Sequence, residues 1–141
     1  MTSLMGVRKR RKRFLCISRL SMFLAVVVTA SACASLPLAK SVTNVGEIAG
    51  AWEGSVSGQG AILPIKNMVI KPDGSWDFEL VGGNPPRHTG TVQLVDGKLR
   101  ARSATTGNTA TWTLHEGEGK RVLKVVNDDG RVTADLMPVK R

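Results

Sequence analysis

The sequence predicts an all-β domain: a small eight-stranded up-and-down antiparallel barrel, with a β-sandwich as the alternative packing. Three observations predict it. From Ala49 onward, turn residues recur about every 8 to 12 positions between short runs in which apolar and polar side chains alternate. Nothing in that region sustains a 3.6-residue period, so no helix is expected. Three tight turns, each of which fixes a hairpin register, independently bring apolar residues opposite apolar residues on one face.

Taken in order, the chain begins with an export signal. Residues 1–32 combine a basic head ending at Arg13, an apolar core from Leu20 to Ala30 and small residues before a cleavage point. That core is shorter than the roughly 20 residues a helix needs to cross a bilayer. An uncleaved anchor, extended back through Phe14 with Arg19 snorkelling, is the alternative. The composition changes sharply at the same point. Of the 20 Lys and Arg, 13 lie beyond Cys33 together with all 11 Asp and Glu, so the net charge of +9 falls to +2 for the exported part. A domain with that balance lacks the basic surface that nucleic-acid binding requires.

Ala30, Ser31, Ala32, Cys33 resembles the lipobox of bacterial lipoproteins, with Ala30 where that family usually has Leu or Val. The resemblance implies that Cys33 becomes the acylated first residue of the mature chain. Cys16 leaves with the leader, which excludes an intramolecular disulfide. One acyl chain binds a membrane only marginally, so the diacyl or triacyl cysteine of that family is what lasting attachment needs. Ala34, in place of an Asp retention signal, implies an outer-membrane lipoprotein facing the periplasm. Residues 33–47, with Pro37, Gly46 and several small polar side chains, read as the lipidated cysteine and a flexible tether.

The barrel domain, 48–141, offers eight strands at 50–57, 62–71, 75–81, 89–95, 98–103, 109–115, 121–127 and 131–137. The first places Trp52 and Val56 on one face, and the second carries Met68 and Ile70. Pro72, Asp73 and Gly74 as a three-residue loop pair Ile70 with Trp76 and Met68 with Phe78. Asp96 and Gly97 as a two-residue turn pair Leu94 with Leu99 and Val92 with Ala101, leaving Gln93 and Arg100 outside. The sixth strand turns Ala110, Trp112 and Leu114 to the same face. Asp129 and Gly130 pair Val125 with Ala134 and Leu123 with Leu136, and set Lys124 opposite Asp135 on the outer face. Eight short strands with one apolar face bury it best by closing on themselves, which also removes the exposed sheet edges.

Gly50, Ala51, Trp52 at the start of the first strand resembles the Gly-x-Trp signature of the lipocalin and calycin group. That resemblance implies an eight-stranded barrel whose Trp plugs the closed end. The chain is shorter than a typical lipocalin and lacks its C-terminal helix.

An eight-stranded barrel is just wide enough to be filled by side chains or to hold one small ligand. Trp76, Phe78, Trp112 and Ala110 are the candidate cavity wall, with core packing as their alternative role. Lys98, Arg100 and Arg102 share the outer face of one strand, opposite Val95, Gln93 and Thr91 on the preceding one. They form a basic stripe without acidic neighbours there, either a solvated face or a contact for an anionic envelope component. Little points to catalysis. His88 and His115, the latter beside Glu116, make no metal set, and neither a nucleophile elbow nor a phosphate loop occurs. Neither an enzyme nor a cofactor is expected. The expected function is a membrane-anchored periplasmic lipoprotein whose barrel binds a small apolar ligand or lipid. The alternative is a packed, non-enzymatic barrel acting through its outer face as an envelope interaction or inhibitor protein. Ser57, Gly58, Gln59, Gly60, Ala61 resembles the loop of membrane-bound lysozyme inhibitors, whose tyrosines and disulfides this chain lacks.

Overall fold

The computed structural model describes residues 37–140; Cys33 and residues 1–32, expected to be an export signal, lie outside them. Nine strands run in chain order as β1 (Leu38–Lys40), β2 (Gly50–Gly58), β3 (Ala61–Ile70), β4 (Ser75–Leu80), β5 (Arg87–Val95), β6 (Lys98–Ser103), β7 (Thr109–Gly117), β8 (Lys120–Asn127) and β9 (Val132–Pro138). From β2 to β9 each strand pairs antiparallel with the next, and β9 returns to β2, closing an eight-stranded barrel. The short β1 adds to β7 beyond the end of β6: β6 pairs with Thr109 to Trp112, and β1 with Leu114 to Glu116.

The turns impose the registers that their composition predicts. Val92 faces Ala101 and Leu94 faces Leu99 across a turn in which both Asp96 and Gly97 have positive φ, 50° and 72°. Leu123 faces Leu136, Val125 faces Ala134, and Lys124 faces Asp135. Ile70 faces Trp76 as expected, but the predicted partnership of Met68 with Phe78 is replaced by a β-bulge. Lys66 pairs with Glu79 and Val69 with Asp77, so Asn67 and Met68 together oppose Phe78. Asn67, at φ 52°, supplies the extra residue. One added residue inverts the alternation, and Ile65 turns inward while Ile62 is left 71% exposed. Ile65 therefore belongs to the core, where simple alternation from Met68 does not place it.

At Gly54 the backbone of β9 leaves no room for a side chain on β2. A Cβ there would lie 2.0 Å from the Asp135 carbonyl oxygen.

The stretch expected to be a flexible tether is, from Pro37 onward, part of the fold. Val42 is buried, a 3₁₀ turn spans Val45–Ile48, and Ile48 is wholly buried. Glu47 reaches back to accept hydrogen bonds from the Thr43 backbone N–H at 2.7 Å and from its hydroxyl at 2.8 Å. These contacts hold its carboxyl below the usual range. The strap is fastened to β7 by side chains as well. His115 Nδ1–H donates to the Pro37 carbonyl at 2.9 Å, and Lys40 Nζ lies 2.7 Å from Glu116 and 3.7 Å from Glu47. The Lys40–Glu116 hydrogen bond raises the lysine's pKa and lowers the carboxyl's.

The strap stoppers one end of the barrel. Trp52 is 1% exposed, its indole Nε1–H donates to the Ile48 carbonyl at 2.9 Å, and the Arg121 guanidinium lies 5.7 Å from its ring centroid. Arg121 also donates to the Glu47 carbonyl, tying β8 to the 3₁₀ turn. The β3–β4, β5–β6 and β7–β8 turns share this closed end. The β2–β3, β4–β5, β6–β7 and β8–β9 connections surround the opposite one.

Candidate functional site: a cavity beneath the open end

The inward positions of the barrel change size along its axis. Near the stopper they are Trp52, Ile70, Leu114 and Leu123, all at most 1% exposed. Toward the other end they become Ala101, Ser103, Ala110 and Ala134, and the interior opens into a cavity of about 210 Å³. Met68, Ile65 and Leu136 meet it from β3 and β9. Val56, Val125 and Val132 complete its aliphatic side.

An aromatic wall stands along β4 and β5. Trp76 and Phe78 stack at 5.6 Å with their planes 16° apart, and Phe78 stacks on His88 at 5.0 Å and 9°. Trp112 meets Trp76 at 5.9 Å, tilted by 43°. The indole of Trp76 has room because its cross-strand partner is Gly90, where a Cβ would sit 2.3 Å from Trp76 Cζ2 and 2.2 Å from the Arg102 carbonyl oxygen. Trp76, Phe78, Trp112 and Ala110, the four residues singled out from the sequence, all line this one cavity.

The rim is polar. Thr106 and Asn108 come from the β6–β7 connection, Asn127 from the end of β8, and Ser103 and His88 from the mouth-side ends of β6 and β5. His88 is a cavity residue that the predicted strand 89–95 stops one position short of. Counting back from Val92 and Gly90 in steps of two places it on the inner face. Two buried ring nitrogens among the lining residues, Trp76 Nε1 and His88 Nε2, have no hydrogen-bond partner among the described residues. No Lys, Arg, Asp or Glu lines the cavity.

The outer face corrects one expectation. Lys98, Arg100 and Arg102 do project from the outside of β6, but Arg100 is not without an acid. Its guanidinium donates to the Thr111 hydroxyl at 2.6 Å and to Asp128 at 2.8 Å. The partners come from β7 and the β8–β9 connection rather than from β5, the strand used to predict the stripe. Lys98 and Arg102 form no ion pair among the described residues, while Arg87 pairs with Asp77 at 2.9 Å.

The two histidines are at opposite ends, His88 on the cavity rim and His115 against the strap. Among the described residues, no three His, Cys, Asp or Glu side chains gather in a way that would hold a metal ion, and no helix is long and apolar enough to cross a membrane. No protein-family model, no curated protein and no solved structure matches the chain significantly.

Proposed function

We propose that this protein is a membrane-anchored envelope lipoprotein whose barrel carries a small, largely apolar ligand. The carrying observation is the cavity itself: four residues selected for their alternation and size converge on one hollow that opens through a polar rim. An apolar pocket with a few polar groups at its edge is the usual form of a small-molecule site. The lipocalin-like resemblance of Gly50, Ala51, Trp52 supports the same reading.

The anchor in this proposal is an acylated Cys33. Three residues, 34–36, separate it from Pro37, and the four Cα–Cα steps between the two span at most about 14 Å. The described strap begins at the closed end, with Pro37 beside His115. Leu38, Met137 and Val139, which are 82%, 56% and 40% exposed, lie at the closed end and suit a bilayer-facing surface.

Mass spectrometry of the full chain, purified from envelope membranes, tests both parts. The expected result is a mature chain beginning at an acylated Cys33, with a reproducible non-covalent added mass that collisional activation removes. An unmodified cysteine removes the anchor, and a barrel that stays empty when offered small apolar molecules removes the carrier.

A further inference from the structure

We infer that the cavity is built for a small neutral ring bearing a hydrogen-bond acceptor, and not for the length of an acyl chain. This rests on the carrier reading and narrows it to a ligand class. Three independent features carry it.

The first is size. About 210 Å³ corresponds to roughly seven waters' share of liquid volume, and an apolar cavity of about 150 Å³ accepts benzene. There is room for one ring and a substituent of two or three heavy atoms. A chain of ten or more carbons would have to run out through the rim formed by His88, Thr106, Asn108 and Asn127, past polar groups that gain nothing from methylene contact.

The second is shape. Trp76, Phe78 and His88 form a stacked ladder, with successive planes 16° and 9° apart, and Trp112 leans toward it at 43°. Aromatic side chains clustered at one cavity favour a planar ligand, through edge-to-face or offset-stacked contact.

The third is chemistry. Trp76 is 6% exposed and its Nε1–H, which can only donate, finds no acceptor among the described residues. A buried donor left unpaired carries its full desolvation penalty, so a ligand oxygen or nitrogen that accepts from it gains both attraction and relief of that penalty. His88 Nε2 offers a second polar contact. With no charged carboxylate, ammonium or guanidinium in the lining, an ionised ligand head would be buried without a counter-charge. The acceptor is therefore neutral, of the carbonyl or ether type.

The test uses the acylated full chain, labelled with ¹⁵N, in lipid nanodiscs and three probes: acetophenone, its near-isostere α-methylstyrene in which C=CH₂ replaces C=O, and decanoate. The indole N–H signals of Trp52, Trp76 and Trp112 report binding site by site. Acetophenone is expected to move the Trp76 signal downfield and to bind at least tenfold more tightly than α-methylstyrene. In Trp76→Phe that preference disappears while α-methylstyrene still binds. Partition of the probes into lipid is common to both proteins, and the wild-type comparison stands even where the variant does not fold. Equal binding of the two ring probes with an unmoved Trp76 signal overturns the acceptor assignment and leaves the carrier intact. Tighter binding of decanoate overturns the ring assignment and likewise leaves the carrier. Failure of all three probes to bind overturns this inference and the carrier reading together.

Discussion

Replacing Ala110 by Leu separates a hollow barrel from a filled one by the sign of a stability change. Ala110 is 8% exposed on the inner face of β7, between Ala101 of β6 and Asn127 of β8, and its methyl group borders the 210 Å³ cavity. Leu adds three carbon atoms there. If they enter the cavity, burial contributes up to about 2.4 kcal/mol at roughly 0.8 kcal/mol per carbon. Fixing the Leu rotamers takes back about 0.5–1 kcal/mol, leaving a net gain of about 1.5 kcal/mol. In a core already packed to native density, the same change costs about 1–3 kcal/mol through displaced neighbours. For a domain of this size 1 kcal/mol moves Tm by about 4–8 °C, so the two cases differ by well over ten degrees. Thermal unfolding followed by near-ultraviolet circular dichroism, with binding of a ring probe measured in parallel, reads both quantities. The expected outcome is a Tm raised by several degrees and binding reduced at least tenfold. A lowered Tm with unchanged binding would refute the cavity as the ligand site.

Gly54→Ala brings a Cβ within 2.0 Å of the Asp135 carbonyl oxygen, a backbone atom that moves only if β2 and β9 separate; a loss of about 1–3 kcal/mol in denaturant unfolding is expected. Ile48→Ala, at a wholly buried residue of the strap, should cost about 2–5 kcal/mol while leaving ring-probe affinity within twofold, and a large affinity loss would show that stopper and cavity are coupled. The strap should also respond to pH. The Glu116 carboxyl is lowered from 4.5 by its hydrogen bond with Lys40, so its contribution is complete above 4.5 and is lost as pH falls through the depressed value. Lys40 is raised from 10.5 by the same bond, so its contribution is complete below 10.5 and is lost as pH rises through the raised value. The Ala39 amide resonance, between Leu38 and Lys40 on β1, is expected to shift as pH falls through the first value and as it rises through the second. Glu116→Gln should abolish the Glu116 carboxyl titration step in that resonance, and an unchanged step in that variant would place the titration elsewhere.

Which parts of the fold were legible depends on how far each signal reaches along the chain. Asp96–Gly97 and Asp129–Gly130 determine their hairpins from adjacent residues, and both registers are the observed ones. The bulge at Asn67 is different in kind. Ile62, Leu63 and Ile65 are apolar in both phases of the alternation, so nothing local announces that the phase changes before Met68. The strap escapes for want of length: Leu38–Lys40 is too short to display a period, and Val42 and Ile48 are buried by a barrel end that exists only after closure. Arg100 shows the same limit on the surface. Its acid, Asp128, lies 28 residues away and meets it through the strand that follows rather than the one that precedes. The four cavity residues were legible because size and alternation are local, whereas His88 needed the extra turn of β5 back to Arg87.

A packed interior and a ligand cavity are rival readings of this sequence only while the barrel is treated as uniform along its axis. Of the side chains buried to below 2%, Trp52, Ile48, Ile70, Leu114 and Leu123 crowd the closed end, where Arg121 and the strap seal them from water. The small inward residues Gly90, Ala101, Ser103, Ala110 and Ala134 lie nearer the mouth, and there the same alternation leaves a hollow. Small barrels have little apolar area in reserve, so concentrating the large side chains at one end is what allows the other to stay open. Packing and hollow are thereby divided between different residues of the same strands: on β7, Leu114 packs the stopper while Ala110 borders the cavity, four residues apart on one face. The described chain enters at the filled end, where Pro37 meets His115, which leaves the hollow end free of the strap.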